Sequence, residues 1–313
     1  MQAYQLSSGD VIADRRADYA KMLDEGGEPE SAVELMEQAL DLVPGWAAGW
    51  FQLAGYREKA GRKDAAIDAL KRVLALDSED IFGAGLKLAL LGATDVPDQP
   101  SSRYVERLFD DYADRFERSL LEKLDYSVPQ KLAALIAESA ANFDLAVDLG
   151  CGTGLLGPEI RSRVSRLEGF DLSQNMLAKA ADKQVYDHLD QADLSLPPEE
   201  SGLFRQGFAT RRANLVTAAD VMMYLGDLRS VFAIVDDLAA PGAIFAFSVE
   251  DAGEDAGFHL APSLRYAHSE GYIRSLCGDH GFSVVDFRKT TIRKDGGNPV
   301  SGILFLARKT GNH

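Results

Sequence analysis

The stretch AVDLGCGTGLLG, residues 146–157, does most to limit what this chain can become. An apolar run that ends in an acid and breaks into four glycines reads as a buried strand followed by a strand-to-helix turn. Glycines at such a turn let the backbone approach a ligand where side chains would collide. Two ligand readings are open. GTGLLG (Gly152 to Gly157) fits the dinucleotide fingerprint G-x-G-x-x-G, whereas GCGTG (Gly150 to Gly154) fits a different cofactor.

The flanking patterns alternate. Helical apolar spacing runs over Tyr104 to Leu121 and Val128 to Ala140, and a helix is expected from about Leu156. Strands are predicted at Phe143–Leu149, Arg166–Phe170, Leu189–Ala192, Asn214–Ala218 and Ala243–Val249. This is an α/β layout with a mostly parallel sheet. Phe282 to Arg293 and Val300 to Arg308 are strand-like runs joined by KDGGNP, which predicts an antiparallel hairpin at one sheet edge.

Two of these features favour S-adenosylmethionine over a nicotinamide or flavin. Asp148, two residues before the first glycine, can attract an ammonium group but would repel a pyrophosphate. The terminal hairpin is the other. Asp171 in GFDLSQNML, 21 residues after Gly150, suits hydrogen bonds to ribose hydroxyls under either reading.

Residues 103–313 resemble a class I S-adenosylmethionine-dependent methyltransferase, a Rossmann-like seven-stranded sheet ending in such a hairpin. VDLGCGTG matches that family's first motif, FDLSQNML the acidic second, QADL (Gln191 to Leu194) the adenine-contacting segment, and NLVTAADVMMYLGDL the fourth strand and its succeeding helix. YVERLFDDYADRFE and RYAHSEGY are similar to segments of the narrower group in which tetratricopeptide repeats precede the enzyme. A nicotinamide-dependent oxidoreductase rests on GTGLLG alone.

The resemblance implies roles. Gly150, Gly152 and Gly154 would give the cofactor room, and the N-terminus of the helix after the turn would face the methionine carboxylate. Asp148 would attract the ammonium group and Asp171 would take the ribose hydroxyls. Leu172 and Met176 would cover the adenine, while Asp193 and the backbone near Leu194 would read its edge. Tyr112, on the helix that also carries Tyr104 and Phe109, is a candidate contact for the sulfonium. Asp220, Tyr224, Arg265 and Tyr266 would face the methyl acceptor, and Arg265 could grip an anionic one. His268 is the candidate general base; His188, His280 and His313 stand in less useful places. LSLPPEESGLFRQGFATRRA, with Arg205, Arg211 and Arg212, is either a plain excursion or one basic patch.

The first hundred residues repeat. A shift of 34 superimposes Ala20 on Ala54, Gly27 on Gly61, Ala32 on Ala66 and Leu40 on Leu74. This resembles two tetratricopeptide repeats over residues 13–80, with Ile81 to Leu91 as a capping helix. The expected boundaries are a helical domain at 1–93, a linker at 94–102 and the catalytic domain at 103–313. The arm holds 18 acids and 10 bases in the first hundred residues, which suits a basic or neutral partner. Such an arm could recruit a protein target, serve as a lid or make a dimer contact.

A net charge of −16 argues against a nucleic-acid acceptor, as does the lack of an Asn-Pro-Pro-Tyr tetrapeptide after the fourth strand. Two cysteines imply no disulfide framework, and no histidine–carboxylate cluster has metal-ligand spacing. The expectation is a cytoplasmic methyltransferase of a small-molecule or carrier-bound acceptor, with a protein methyltransferase as the alternative.

Overall fold

The computed structural model describes residues 6–110, 126–139, 142–254 and 257–311, and falls into two units, Met1–Tyr104 and Val105–His313. The first unit is helical: α1 (Val11–Glu25), α2 (Pro29–Leu42), α3 (Ala47–Lys59), α4 (Lys63–Leu76) and α5 (Ala84–Leu90). The Asp10 carboxylate starts α1 by accepting from the Ile12 and Ala13 amides, two of the donors a helix leaves unpaired. Both hairpins turn alike. Glu28 N donates to Leu23 O and Arg62 N to Arg57 O, the same bond 34 residues on. The repeated small residues Ala20, Ala32, Ala54 and Ala66 are all fully buried, which lets neighbouring helices approach closely. The stretch expected as a linker is tied to this unit at its end. Ser101 Oγ donates to Glu79 O over 2.5 Å, and the Tyr104 ring packs on Gly83, 2.8 Å from where a Cβ would lie.

Helix α6 is described over residues 102–110. Then come α7 (Val128–Glu138), β1 (Phe143–Leu149), α8 (Gly157–Ile160), β2 (Val164–Asp171), α9 (Gln174–Asp182), β3 (His188–Gln191), β4 (Ala213–Ala218), α10 (Arg229–Leu238) and β5 (Ala239–Asp251). They are followed by β6 (Phe258–Leu260), β7 (Tyr266–His268), α11 (Glu270–Asp279), β8 (Phe282–Asp295) and β9 (Asn298–Lys309). Strands β3-β2-β1-β4-β5 lie side by side and parallel, β9 runs antiparallel to β5, and β8 antiparallel to β9. The order reverses between β1 and β4, so the carboxyl ends of these strands open onto a topological switch point, where such sheets bind ligands.

Both faces of the sheet are covered, as a parallel sheet requires. Val147, Leu149, Val216, Phe245 and Phe247 join α10 and α11 in one apolar cluster, while Ala146, Leu167, Leu215 and Ile244 join α7 and α8 in another. The closing hairpin turns at Gly296 and Gly297, with φ of 54° and 85°. Two successive left-handed residues fit the right-handed twist of the flanking strands.

Two elements differ from expectation. The helix after the glycine turn is a single turn of four residues, continued by a 3-10 turn (Arg161–Arg163), because β2 already begins at Val164. Residues 258–260 and 266–268, where no strand is predicted, form a short hairpin, and β7 pairs in parallel with β5 at Glu250 and Asp251. No described helix is long and apolar enough to cross a membrane.

Candidate active site

Asp148 ends β1 and is almost completely buried. Its carboxylate accepts from Thr217 Oγ1 on β4 at 2.7 Å and from Tyr186 Oη at 2.8 Å. Burial pushes its pKa up to about 6 against those two donors. Asp148 exposes almost no surface and holds β1, β4 and Tyr186 together, so the expectation that it reaches out to an ammonium group is corrected.

The four glycines divide by what faces them. A Cβ on Gly154 or Gly157 would lie 2.8 Å from the Tyr186 ring, and one on Gly150 would lie 2.5 Å from the Val221 side chain. Gly152, at φ +55°, meets no atom of the described residues within 4 Å. So Gly152 borders the open space, while Gly150, Gly154 and Gly157 make room for the protein's own side chains. This also removes the physical basis of the dinucleotide reading, since two of the three glycines in Gly152 to Gly157 accommodate a tyrosine.

The loop is closed by its own hydrogen bonds. Cys151 N donates to Phe170 O, Gly154 N to Cys151 O, and Gly152 N to Asp171 Oδ2 at 2.8 Å. Asp171 also accepts from Ser173 N at 2.9 Å, and burial pushes its pKa up to about 6 despite these amides. A carboxylate has about four acceptor positions, so oxygen lone pairs remain for hydroxyl donors. Thr153, between the two left-handed glycines, is buried with no hydrogen-bond partner for its hydroxyl among the described residues. An open Cα at Gly152, a carboxylate with spare acceptors and an unpartnered hydroxyl form a set that fits the polar end and ribose of an adenosyl cofactor.

Around this centre, Leu172 is half-buried, and its carbonyl accepts from Gln191 Nε2 at 2.7 Å. Met176, in α9, is fully buried and belongs to the core. Asp193 Oδ1 accepts from Ser195 N and Oγ, and the Leu194 carbonyl accepts from Ser230 Oγ. Helix α6 reaches the same edge through Asp110, which accepts from Ser173 Oγ, and through Phe109, whose ring meets Tyr224 edge-on at 4.8 Å. Tyr112 lies outside the described residues.

On the acceptor side, Asp220 follows β4 with a left-handed backbone, φ 60°, that is costly for a residue with a Cβ. It is held there. Its amide donates to Ser248 Oγ at 2.8 Å, and its carboxylate accepts from Arg293 at 3.0 and 3.1 Å. The other arm of Arg293 pairs with Glu250, so a buried guanidinium on β8 bridges the ends of β4 and β5. Burial draws the Arg293 pKa down, but Asp220 and Glu250 outweigh it and the group is held above its ordinary range. The sequence reading missed Arg293, Glu250, Thr217 and Tyr186, and no local signal marks them. Arg265 lies 6.0 Å from the Tyr224 ring centre and pairs with Asp295 at 3.0 Å.

Two expected acceptor-side residues are core. Tyr266 is fully buried against Phe258. His268 is fully buried, its Nε2 lies 2.9 Å from the Gly226 carbonyl, and its ring stacks on Tyr272. Burial pulls its pKa down to about 4. A neutral imidazole with one nitrogen committed to backbone and no exposed surface does not serve as a base for substrate, which corrects its assignment. Arg212 is likewise drawn inside, pairing with Glu168 at 3.1 Å and lying over the Phe208 ring, so it adds nothing to a basic patch. Among the described residues no group of His, Cys, Asp and Glu is placed to hold a metal ion.

Residues 147–245 match the methyltransferase domain family. A malonyl-[acyl-carrier protein] O-methyltransferase of Salmonella typhimurium is 28% identical over 156 residues, which is 47% of this chain and 56% of that protein. The chain thus spans about half the length of this relative. A putative methyltransferase solved in complex with the Haloferax volcanii Trm112 activator shares the fold, with a TM-score of 0.52 at 16% identity over 67% of this chain and 99% of that one. Fold, glycine turn and family match together define a methyltransferase domain of the class I type. The cofactor such domains use is S-adenosylmethionine.

Proposed function

We propose that this chain methylates a small-molecule or carrier-bound acceptor and releases S-adenosylhomocysteine. The observation that carries the cofactor half of this reading is Asp171, braced by the Gly152 amide at the one glycine of the turn that faces open space. S-adenosylmethionine supplies a methyl group already activated by its sulfonium. Asp171 would accept the ribose hydroxyls, Leu172 would flank the adenine with Met176 packed in the core behind, and Asp193 with the Leu194 backbone would read the adenine edge. Gly150, Gly152 and Gly154 shape the turn, and the Thr153 hydroxyl faces the polar end.

The acceptor is a carboxylate in this reading. The Salmonella relative is named for a carrier-bound malonyl group. A carboxylate has no proton to lose, which agrees with a buried His268, and it suits the Arg265 guanidinium beside Tyr224. The residues then act by positioning, which can remove a large part of a barrier. The helical hairpins of residues 13–80 are read as tetratricopeptide repeats, and their fusion to the enzyme keeps a protein acceptor as the second reading. The buried thiols of Cys151 and Cys277 suit a reducing compartment, the cytoplasm.

The test is thermal unfolding with S-adenosylmethionine, S-adenosylhomocysteine or NADH, followed by methyl-transfer assays on malonyl thioesters and on proteins. Saturating ligand adds roughly 2.7 kcal/mol at a hundred times its dissociation constant. A rise in melting temperature with the adenosyl compounds and turnover of the thioester supports the proposal. Turnover of proteins alone moves it to the second reading, and stabilisation by NADH alone overturns both.

A further inference from the structure

The outer face of α1 carries a stripe that the described residues leave uncovered. Val11, Ile12, Tyr19 and Met22 are 68, 58, 61 and 64% exposed, whereas Ala13, Ala17 and Ala20 bury the opposite face. At about 100° per residue the four apolar side chains fall within one side of the helix, with Arg15 in their midst and Asp18 at the edge. Arg15 and Asp18 are both exposed, and neither makes an ion pair among the described residues. Arg16, by contrast, is turned inward to the Gln38 carbonyl.

The stripe is complementary to itself. Val11 and Met22 lie equally far from the midpoint between residues 16 and 17, and so do Arg15 and Asp18. Two copies of α1 packed antiparallel about a two-fold axis at that midpoint place Val11 of one beside Met22 of the other, and Arg15 beside Asp18. Ile12 and Tyr19 lie on the other flank of the same seam, two residues out of that register. An isologous contact needs this property, because each patch must receive its own copy reversed. A stripe built for an unrelated partner has no reason to set its apolar ends and its two charges about one centre.

We infer that α1 is a homodimer contact and that its occupant is α1 of a second copy of this chain. A single helix face is smaller than the roughly 800 Å² per partner of a standard stable interface, so the dimer forms in a concentration-dependent way. The central charges then act as a register device: two Arg15–Asp18 pairs close only in the antiparallel alignment.

The experiment is sedimentation equilibrium of the full chain at physiological ionic strength, up to the highest soluble concentration. It compares wild type with Arg15→Asp, Asp18→Arg, the double swap and Met22→Glu. All three sites are exposed, and circular dichroism checks that each variant folds. The expected result is wild type approaching twice 34.0 kDa, loss of dimer in Arg15→Asp, Asp18→Arg and Met22→Glu, and its return in the double swap. A wild type that stays at 34.0 kDa throughout overturns the inference and leaves the stripe to another protein. A dimer that survives Met22→Glu, or a double swap that fails to restore it, overturns it as well.

Discussion

Tyr186 donates its phenolic hydrogen to the Asp148 carboxylate over 2.8 Å, and the same ring occupies the space that side chains at Gly154, Gly157 and Gly169 would need. A tyrosine just before β3 thus explains three glycines on three different segments. It also holds the buried acid at the end of β1.

Removing the phenol oxygen tests this directly. Tyr186→Phe leaves Asp148 with Thr217 as its remaining side-chain donor, which costs about 1–3 kcal/mol when the carboxylate is charged. Asp148 titrates near 6 in the folded protein, so the loss is larger at pH 8 than at pH 5. Denaturant melts of both proteins at the two pH values check it. An equal loss at both would mean that the ring's packing, not its hydrogen bond, matters.

Gly157→Ala is expected to destabilise by about 1–3 kcal/mol, because its Cβ would lie 2.8 Å from the Tyr186 ring. Combining it with Tyr186→Ala should cost less than the sum of the two single changes. Additive costs in that double-mutant cycle would separate the two residues.

Asp171 carries the pH dependence expected of cofactor binding. Hydroxyl donors favour its charged form, so binding lowers its pKa and releases a proton. Affinity for S-adenosylmethionine is then flat above about pH 7 and falls as pH drops below about 6. Asp171→Asn should weaken binding by roughly 10–100-fold, the worth of hydrogen bonds to a charged group, and flatten the profile. Calorimetric titrations from pH 5 to 8 measure both.

His268 runs the other way in stability. Its folded pKa, about 4, lies below the unfolded value of 6.5, so the unfolded chain binds the extra proton between them. Its contribution is therefore present above pH 6.5 and lost as pH falls toward 4. Over the same range Asp148 and Asp171, raised to about 6, favour the folded state as pH falls. His268→Gln should narrow the acid-side loss without deleting an ionisation from the pH–rate profile. A lost limb near pH 6–7 would return His268 to catalysis.

Arg293→Met should cost about 3–5 kcal/mol, since it strands Asp220 and Glu250 as uncompensated charges away from water. Replacing all three by apolar residues of similar size should recover most of that stability. Melting temperatures of the single and triple variants decide it. A mild single variant would mean that the acids find water.

What the sequence determined by itself is local. β1 begins and ends where its apolar run predicts, Phe143–Leu149, because an apolar run closed by glycines leaves a buried strand few alternatives. The terminal hairpin comes from two glycines in the left-handed region between strand-like runs. Asp171 is legible because the end of β2 is a fixed distance from the turn. Tertiary structure alone decided which glycine faces open space, that Asp148 is an internal brace, that His268 and Tyr266 are core, and that Arg293 joins the ends of β4 and β5. The bracing contacts reach far along the chain, 38 residues from Tyr186 to Asp148 and 73 from Arg293 to Asp220. Backbone propensity is set by neighbours in sequence, whereas burial and charge pairing are set by neighbours in space, and only the folded chain brings those together.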